Sequence, residues 1–266
     1  MIEIIPFETG YCTNIGFMVQ KGAGFKTYRF PARVWLLKSN DRYWLWDTGY
    51  ADHFYHYTGS GIYKLYRKVT PVYFSGKDSL MAQLKEKNIP VDKLAGIIIS
   101  HFHADHIAGL RDFPDIPLIC SREGWEKVRY LKGWRALKKG FIPGLIPDDF
   151  EKRVIYIESF DSCRLPEELS PFETAFVLPG CEGTILTVPL PGHAAGQVGA
   201  FIATEKGRVL LASDAAWTRA NYRELKVPSR LTRLITEDGK AYCNTLYKLN
   251  RLFLNGNTDI RLSHEE

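Results

Sequence analysis

The stretch "IISHFHADHIAGL", residues 98–110, restricts this chain more than any other. Its first residues close an apolar run that reads as a buried strand. Three histidines and an aspartate then follow within six positions. His101 and His103 stand two apart on extended backbone, so their side chains project the same way and can clamp one ion. Asp105 and His106 come after the chain turns and would open the next helix. They therefore point at a second position close to the first.

The other apolar runs end alike. "TILTVPLPG" leads to His193, "RVLLAS" to Asp214 and "DIRLS" to His264. Four strands thus each deliver a metal-ligand residue type at the C-terminal end, where sheet proteins gather their sites. Of the seven histidines, only His53 and His56 fall outside these positions. Any one of the five would pass as an ordinary core or surface histidine, but five together do not. Imidazoles bind zinc-class ions and carboxylates can bridge two of them, so the inventory suits a pair of divalent cations.

Around these runs the strand signals come in two batches. "IEIIPF", "YCTNIGFMV", "RVWLLKS" and "RYWLWDTG" open the chain, with "SND" as a turn between the last two. Residues 50–76 are aromatic and irregular and read as a loop with one short helix. "DSLMAQLKEKNI" has helical periodicity with Asp78 as its cap. "SREGWEKVRYLKG" is a helix capped by Ser121, and "GKAYCNTLYKLNRLFLNG" is one that stops at Gly256. Between about 133 and 180 the pattern loosens, with strands expected near 154–158 and 174–178. Each batch of strands is followed by helices. The expected class is α/β, an αββα sandwich of two mixed sheets packed face to face with helices outside. Residues 1–266 read as a single domain, elaborated by loops or lids near 50–76 and 133–180.

Composition removes several classes. Five scattered cysteines, odd in number and without a CxxC pair, argue against a disulfide framework and against a cysteine-rich zinc site. The N-terminus lacks a basic-then-apolar export signal, and no run approaches the roughly 18 apolar residues of a membrane span. A cytoplasmic protein with no membrane partner is expected. The net charge of +5 is weak for nucleic acid, so none is expected as a partner. Its local concentrations at 64–69 and 127–140 read most simply as solvated helix faces.

"HFHADH", "PGHAAG", "SDAAW" and "LSH", in that order, resemble the metallo-β-lactamase superfamily over essentially the whole chain. The resemblance implies that His101, His103 and His193 hold one metal. Asp105, His106 and His264 would hold the other, with Asp214 bridging. Asp47 in "WLWDTG" matches an aspartate that supports the site without being a primary ligand. The implied cofactors are two divalent ions per chain, zinc first, with iron or manganese as the other options. A hydroxide shared between them would attack an activated carbonyl or phosphoester, with Asp105 and Asp214 as the catalytic carboxylates.

Within the superfamily the chain looks most similar to the N-acyl-homoserine lactonase branch, which implies a small acyl or lactone substrate. Those lactonases usually carry a tyrosine three residues after the bridging aspartate. Here that position is Trp217, whose indole donates a hydrogen bond but is no practical proton donor. Tyr222 is a candidate replacement. Tyr28, Phe30, Trp134 and Phe141 are candidate pocket residues with them, and Trp134, Phe141, Ile142 and Leu145 would face inward from a lid at 133–147. Tyr50, Phe54, Tyr55, Tyr57 and Tyr63 offer further aromatic lining.

A thioesterase of the hydroxyacylglutathione hydrolase type would use the same metals, with the 127–139 cations receiving an anionic tail. A nuclease would need a protruding basic arm, which is not evident. The full second ligand set disfavours a mononuclear iron dioxygenase, and an intact ligand set disfavours a non-catalytic signalling protein. The one macromolecular partner left open is a second copy, as a homodimer. His264 lies two residues before the end of the sequence, so bound metal is expected to be what fastens that segment.

Overall fold

The computed structural model describes residues 1–16, 24–39, 42–227 and 236–265. Strands β1 (Glu3–Ile15), β2 (Thr27–Ser39), β3 (Arg42–Trp46), β4 (Val72–Tyr73), β5 (Leu94–Ile98), β6 (Leu118–Cys120) and β7 (Val154–Tyr156) form one sheet, in the order β4-β1-β2-β3-β5-β6-β7. Strands β8 (Ser162–Arg164), β9 (Thr174–Val177), β10 (Ile185–Pro189), β11 (Val198–Thr204), β12 (Gly207–Ser213) and β13 (Thr258–Leu262) form the other, in the order β13-β12-β11-β10-β9-β8. Both sheets are mixed. The first is antiparallel as far as β3 and parallel from β3 to β7; the second is antiparallel except where β13 joins β12.

Alternation along the strands builds three apolar layers. Trp35, Leu37, Trp44, Trp46 and Ile98 meet Ile185, Val198, Ile202, Val209 and Leu211 between the sheets. The intervening residues Val34, Leu36, Leu45, Ile97 and Ile99 face the outer layer of the first sheet. Helices α1 (Asp52–Tyr57), α2 (Lys64–Val69), α3 (Leu80–Glu86), α4 (Ala104–Ile107), α5 (Arg122–Val128), α6 (Gly133–Lys138) and α7 (Phe150–Arg153) belong to this first half. Helices α8 (Arg219–Arg223) and α9 (Gly239–Asn255) cover the second sheet. The αββα sandwich is what the strand pattern predicts.

Helix α9 shows why local sequence suffices in places. Asp238 accepts from the Lys240 and Ala241 N–H groups at its start, and Gly256 ends it at φ 75°. Leu246, Leu249 and Leu252 sit on its buried face, each contributing about 1.5–3 kcal/mol relative to exposure. No helix among the described residues is long and apolar enough to cross a membrane.

Several local expectations change. The first two predicted strands are one, β1, because pairing with β2 resumes after a register shift between Glu8 and Tyr11. Gly10 carries that bulge at φ 83°, where a Cβ would lie 2.6 Å from the Tyr73 carbonyl oxygen. The predicted strand residues 17–19 and the turn at 40–41 lie outside the described residues. Residues 50–76 hold two short helices and β4 rather than one helix. The cap of α3 is Ser79, whose hydroxyl accepts from the Ala82 N–H at 3.2 Å; Asp78 instead closes on Ser75. Ser121 precedes α5, but its hydroxyl donates to Glu158 and so does not cap the helix. Strands β7 and β9 lie where expected, and β8 is additional.

Candidate metal centre

The two parallel strands β3 and β5 end side by side, and the residues just beyond them are bound together. Asp47 takes φ 63°, a left-handed conformation that aspartate tolerates better than most residues. Its N–H donates to the Ile98 carbonyl at 2.8 Å. Its carboxylate, fully buried, accepts from the Ser100 N–H (2.7 Å), the Ser100 hydroxyl (2.7 Å) and His106 Nδ1 (2.8 Å). His106 Nδ1 therefore carries its proton, and the Nε2 lone pair is directed elsewhere.

The same reasoning fixes two more rings. The Ser100 hydroxyl is committed to Asp47, so at 3.1 Å it accepts from His101 Nδ1 and leaves His101 Nε2 as a lone pair. His264 Nδ1 lies 2.8 Å from the Pro31 carbonyl, which can only accept, so Nδ1 carries a proton and Nε2 is the atom turned toward the centre. That nitrogen stands 3.0 Å from Asp214 Oδ2 and 3.4 Å from Asp105 Oδ2. His106 Nε2 lies 3.4 Å from Asp214 Oδ1 and 3.7 Å from Asp105 Oδ2. On the other side His193 Nε2 lies 3.0 Å from His103 Nδ1 and 3.4 Å from Asp214 Oδ2.

These atoms fall into two groups, His101 with His103, His193 and Asp214, and Asp105 with His106 and His264. Asp214 approaches both. An ion with tetrahedral bonds of 2.0–2.1 Å sets its ligands roughly 3.3–3.4 Å apart, close to the separations found here. His101 Nε2, His106 Nε2 and Asp214 Oδ1 are buried without a hydrogen-bond partner. An orphaned buried polar atom costs about 1–3 kcal/mol, and a divalent cation in each group would satisfy all three. The donor set fits such ions.

Electrostatics divide the rings in two. Burial, then the neighbouring histidines, push the His101 imidazole well below its usual range, and burial does the same to His193 and, less strongly, His103. Neutral imidazole is the ligating form. Burial opposes charge on His106 and His264 as well. There the carboxylates of Asp105, Asp47 and Asp214 outweigh it for His106, and Asp214 with Asp105 does so for His264, raising both. Burial would raise Asp214, but His264 and His106 hold it well below the usual carboxylate range.

A cavity of about 840 Å³ opens from this centre. Its floor is His103, Asp105, His193, Asp214 and His264, and its walls include Phe30, Trp134 and Trp217 as expected. Trp217 meets His193 edge-on at 5.7 Å and Phe30 at 6.5 Å, and Asn221 holds its backbone N–H at 3.0 Å. The other expected pocket residues lie elsewhere. Phe141 is buried in the core with Ile142 and Leu145. Tyr222 is buried against the second sheet's helices, with Phe253 5.8 Å away. Tyr28 packs beside the first sheet's outer core.

The segment 133–147 is a pinned wall. Arg111 donates to the Gly144 and Ile146 carbonyls at 2.8 and 2.6 Å, and the Gly140 carbonyl accepts from Ala104. Tyr50 and Phe54 are core residues, Tyr55 donates to the Val72 carbonyl, and Tyr63 accepts from the Gly133 N–H. His53 bonds Asp112 at 2.9 Å and His56 lies edge-on to Tyr57, both outside the centre.

Sequence reasoning missed Ser100, whose signal was a polar residue ending an isoleucine run. It also missed Tyr66, which lines the cavity with Cys12, Leu65 and Val69. The spacing of Leu65, Tyr66, Val69 and Thr70 is a helical stripe and was readable. The His264 segment is fastened by the protein itself, through Pro31 and through Glu265, which pairs with Arg219 at 2.7 Å.

The profile of the Metallo-beta-lactamase superfamily matches residues 27–246. No curated protein matches at the level of sequence. Among solved structures, an N-acyl homoserine lactone hydrolase with the product N-hexanoyl-L-homoserine at its catalytic metal centre is 20% identical. It covers 98% of this chain and 92% of its own, with a TM-score of 0.75. A probable metal-dependent hydrolase from Staphylococcus aureus is 15% identical over 100% and 90%, with a TM-score of 0.72. AidC, a dizinc quorum-quenching lactonase, is 14% identical over 99% and 87%, at 0.68. At such identities the likeness establishes the shared fold.

Proposed function

This chain belongs to the metallo-β-lactamase superfamily, and from that premise we propose that it is a metal-dependent hydrolase of an ester or lactone of an apolar acyl compound. The observation that carries the reading is the pair of converging ligand groups, with buried lone pairs left unpartnered, at the floor of an apolar-walled cavity. His101, His103 and His193 would hold one divalent ion and Asp105, His106 and His264 the other, with Asp214 shared. Zinc suits these ligands best, with iron or manganese next. Such ions, when bound, supply an acidified water and a Lewis acid for the substrate oxygen.

The chain's own groups do the rest. Asp47 and Ser100 set the tautomers of His106 and His101. Asp105 lines the cavity, and its carboxylate would take the proton given up by the attacking water. Phe30 and Trp217 flank the reacting carbonyl and exclude bulk water. Tyr66 is the tyrosine among the described lining residues, and burial first, then the charges of Asp105 and Asp214, hold its phenol protonated. A protonated phenol can donate to the departing oxygen, a role the Trp217 indole serves poorly.

The test is proton release from zinc-loaded protein given a long-chain N-acyl homoserine lactone, with a chelated control. Chelator-sensitive release is expected. A protein holding two metals that releases no proton from lactones or simple esters would overturn the reading. A thioesterase is the second reading, favoured by the cations beside the cavity; free thiol release from an acyl thioester reports it directly.

A further inference from the structure

Three elements surround the mouth of the cavity. Helix α2 lines it with Leu65, Tyr66 and Val69, α6 with Trp134, Leu137 and Lys138, and the end of β1 with Asn14. The two helices are tied, since the Gly133 N–H at the start of α6 donates to the Tyr63 hydroxyl just before α2 at 2.9 Å. Beyond Asn14, β1 and β2 stay paired, with the Gly16 N–H donating to the Lys26 carbonyl at 2.7 Å.

Each of these elements carries apolar side chains in water. Ile15, Phe25, Leu65, Val69 and Trp134 are between 39 and 86% exposed. They are five of the twelve large apolar residues exposed among the described residues, and all five belong to elements around one opening. Single apolar residues on a surface need no explanation, but a group of them rimmed by polar residues marks a docking surface.

The charge on the same elements is one-sided. No aspartate or glutamate occurs in residues 9–40, 53–77 or 127–147, where the chain's overall frequency of 30 acids in 266 residues would place roughly nine. Some cations of these segments are matched from outside: Arg29 closes on Glu8, Lys127 and Lys139 on Glu237, and Arg129 on Glu126 and Glu151. Lys64, Arg67, Lys68, Lys132, Arg135 and Lys138 are exposed and have no acidic partner among the described residues, and Lys26 of the hairpin is like them. Arg67 rests over the Tyr55 ring, Lys138 over Trp134 and Lys26 over Tyr28, contacts that orient a cation without neutralising it. Of these cations only Lys138 lines the cavity. The rest stand outside it, where a molecule held within would not reach them.

A broad anionic surface laid across the mouth would meet all of these cations at once. We propose that this face docks on an anionic lipid bilayer, with Phe25, Val69 and Trp134 dipping into the boundary between headgroups and acyl chains and the cations lying over the phosphates. Tryptophan, phenylalanine and aliphatic tips ringed by lysine and arginine are what seat a protein in that boundary without spanning it. A nucleic acid would use the cations but bury nothing against Leu65 and Val69. Once docked, the cavity mouth opens onto lipid, so an acyl compound dissolved in the bilayer enters without crossing water. The docking does not depend on the hydrolase reading.

The test is equilibrium partitioning of zinc-loaded full-length protein onto sedimentable vesicles of phosphatidylcholine, with or without about 30% phosphatidylglycerol. Partitioning onto the anionic vesicles should be about tenfold stronger or more, and should weaken as salt rises. The triple substitution K68Q/K132Q/R135Q should lower it about 10²-fold, at about fivefold per cation. K85Q/K87Q/K206Q removes the same charge from exposed positions that precede β5 and β12, at the strand ends away from the metal centre, and should change it less than about threefold. Val69→Ser with Trp134→Ser should weaken it about tenfold with the charge untouched. All the substituted residues are exposed, and an unchanged circular dichroism spectrum checks that each variant is folded. Equal partitioning onto the two kinds of vesicle, none onto either, or equal losses from the two triple variants would overturn the proposal. So would a dimer in lipid-free sedimentation that V69S/W134S dissolves, which would assign the face to a second copy of the chain. Tighter binding to duplex DNA than to the anionic vesicles at the same salt would assign it to nucleic acid and overturn the proposal too.

Discussion

Replacing Asp47 with asparagine should weaken one of the two proposed metal positions. The carboxylate satisfies three buried donors, the Ser100 N–H, the Ser100 hydroxyl and His106 Nδ1. Alanine would orphan all three at about 1–3 kcal/mol each, a loss comparable to the whole stability of a domain, roughly 5–15 kcal/mol. Asparagine keeps the shape and tolerates the left-handed backbone at φ 63°. Its carbonyl can still serve the Ser100 N–H, but its NH2 then faces the Ser100 hydroxyl and His106 Nδ1. To avoid two opposed donors, His106 must move its proton to Nε2, the nitrogen that points at Asp105 and Asp214. Loss of such outer support typically lowers metal affinity 10–100-fold, about 1.4–2.7 kcal/mol. The loss should be largest at the Asp105, His106 and His264 group, with a smaller effect on His101 through the released Ser100 hydroxyl. Stepwise zinc titration against a chromophoric chelator would measure it, with His264→Ala marking the same ion and His193→Ala the other. A D47N protein that is folded by circular dichroism, yet binds both ions as tightly as the parent or loses both equally, would refute the tautomer argument.

Tyr66→Phe should lower kcat by about 10²-fold for alkyl esters while leaving zinc content intact, with a much smaller loss for activated aryl esters; equal losses for both would remove the leaving-group role. Gly140→Ala should disturb the centre from the wall side. The residue sits at φ 60°, and a Cβ there would be 2.9 Å from the His103 ring. The backbone strain alone is about 1–2 kcal/mol, so a lower Tm together with weaker metal binding is expected; unchanged metal affinity would show that the ring moves aside freely. The Glu237 clamp should fade in acid. Burial raises the Glu237 carboxyl, but Lys139 and Lys127 outweigh it and hold it below its ordinary 4.5. Its contribution is therefore complete above pH 4.5 and lost as pH falls through the lowered value. Melting of the parent and of Glu237→Gln should differ by a few degrees at pH 7 and converge below pH 4.5; a gap that persists in acid would sink the ion-pair account.

The candidate ligand residues were legible because each follows an apolar run, and a run's end is a local property. The order of strands within each sheet was not, since it depends on which strands pair across long separations. The bulge in β1 defeated a reading of Thr9 and Gly10 as a break, because pairing with β2 is a tertiary fact. Aromatic residues were the least legible. Phe141 and Tyr66 both sit in irregular, aromatic-rich segments, yet one is core and the other lines the cavity. Only the path of the backbone over the sandwich decides between them. Trp217 lies at the wall, three residues beyond Asp214.

The ligand groups also divide along the chain in a telling way. His101, His103, Asp105 and His106 follow β5 in the first sheet, and His193, Asp214 and His264 follow strands of the second. Each ion would draw two residues from the first half and the remainder from the second, and Asp214 would serve both. Neither half supplies all the residues of either group. Binding energy at the centre is then cohesion across the seam between the sheets, added to the contact of the Trp46 indole with Ser213 at 2.9 Å. Severed in the connection between β7 and β8, the two pieces should find each other again in proportion to the zinc supplied, like a zip whose slider is the metal.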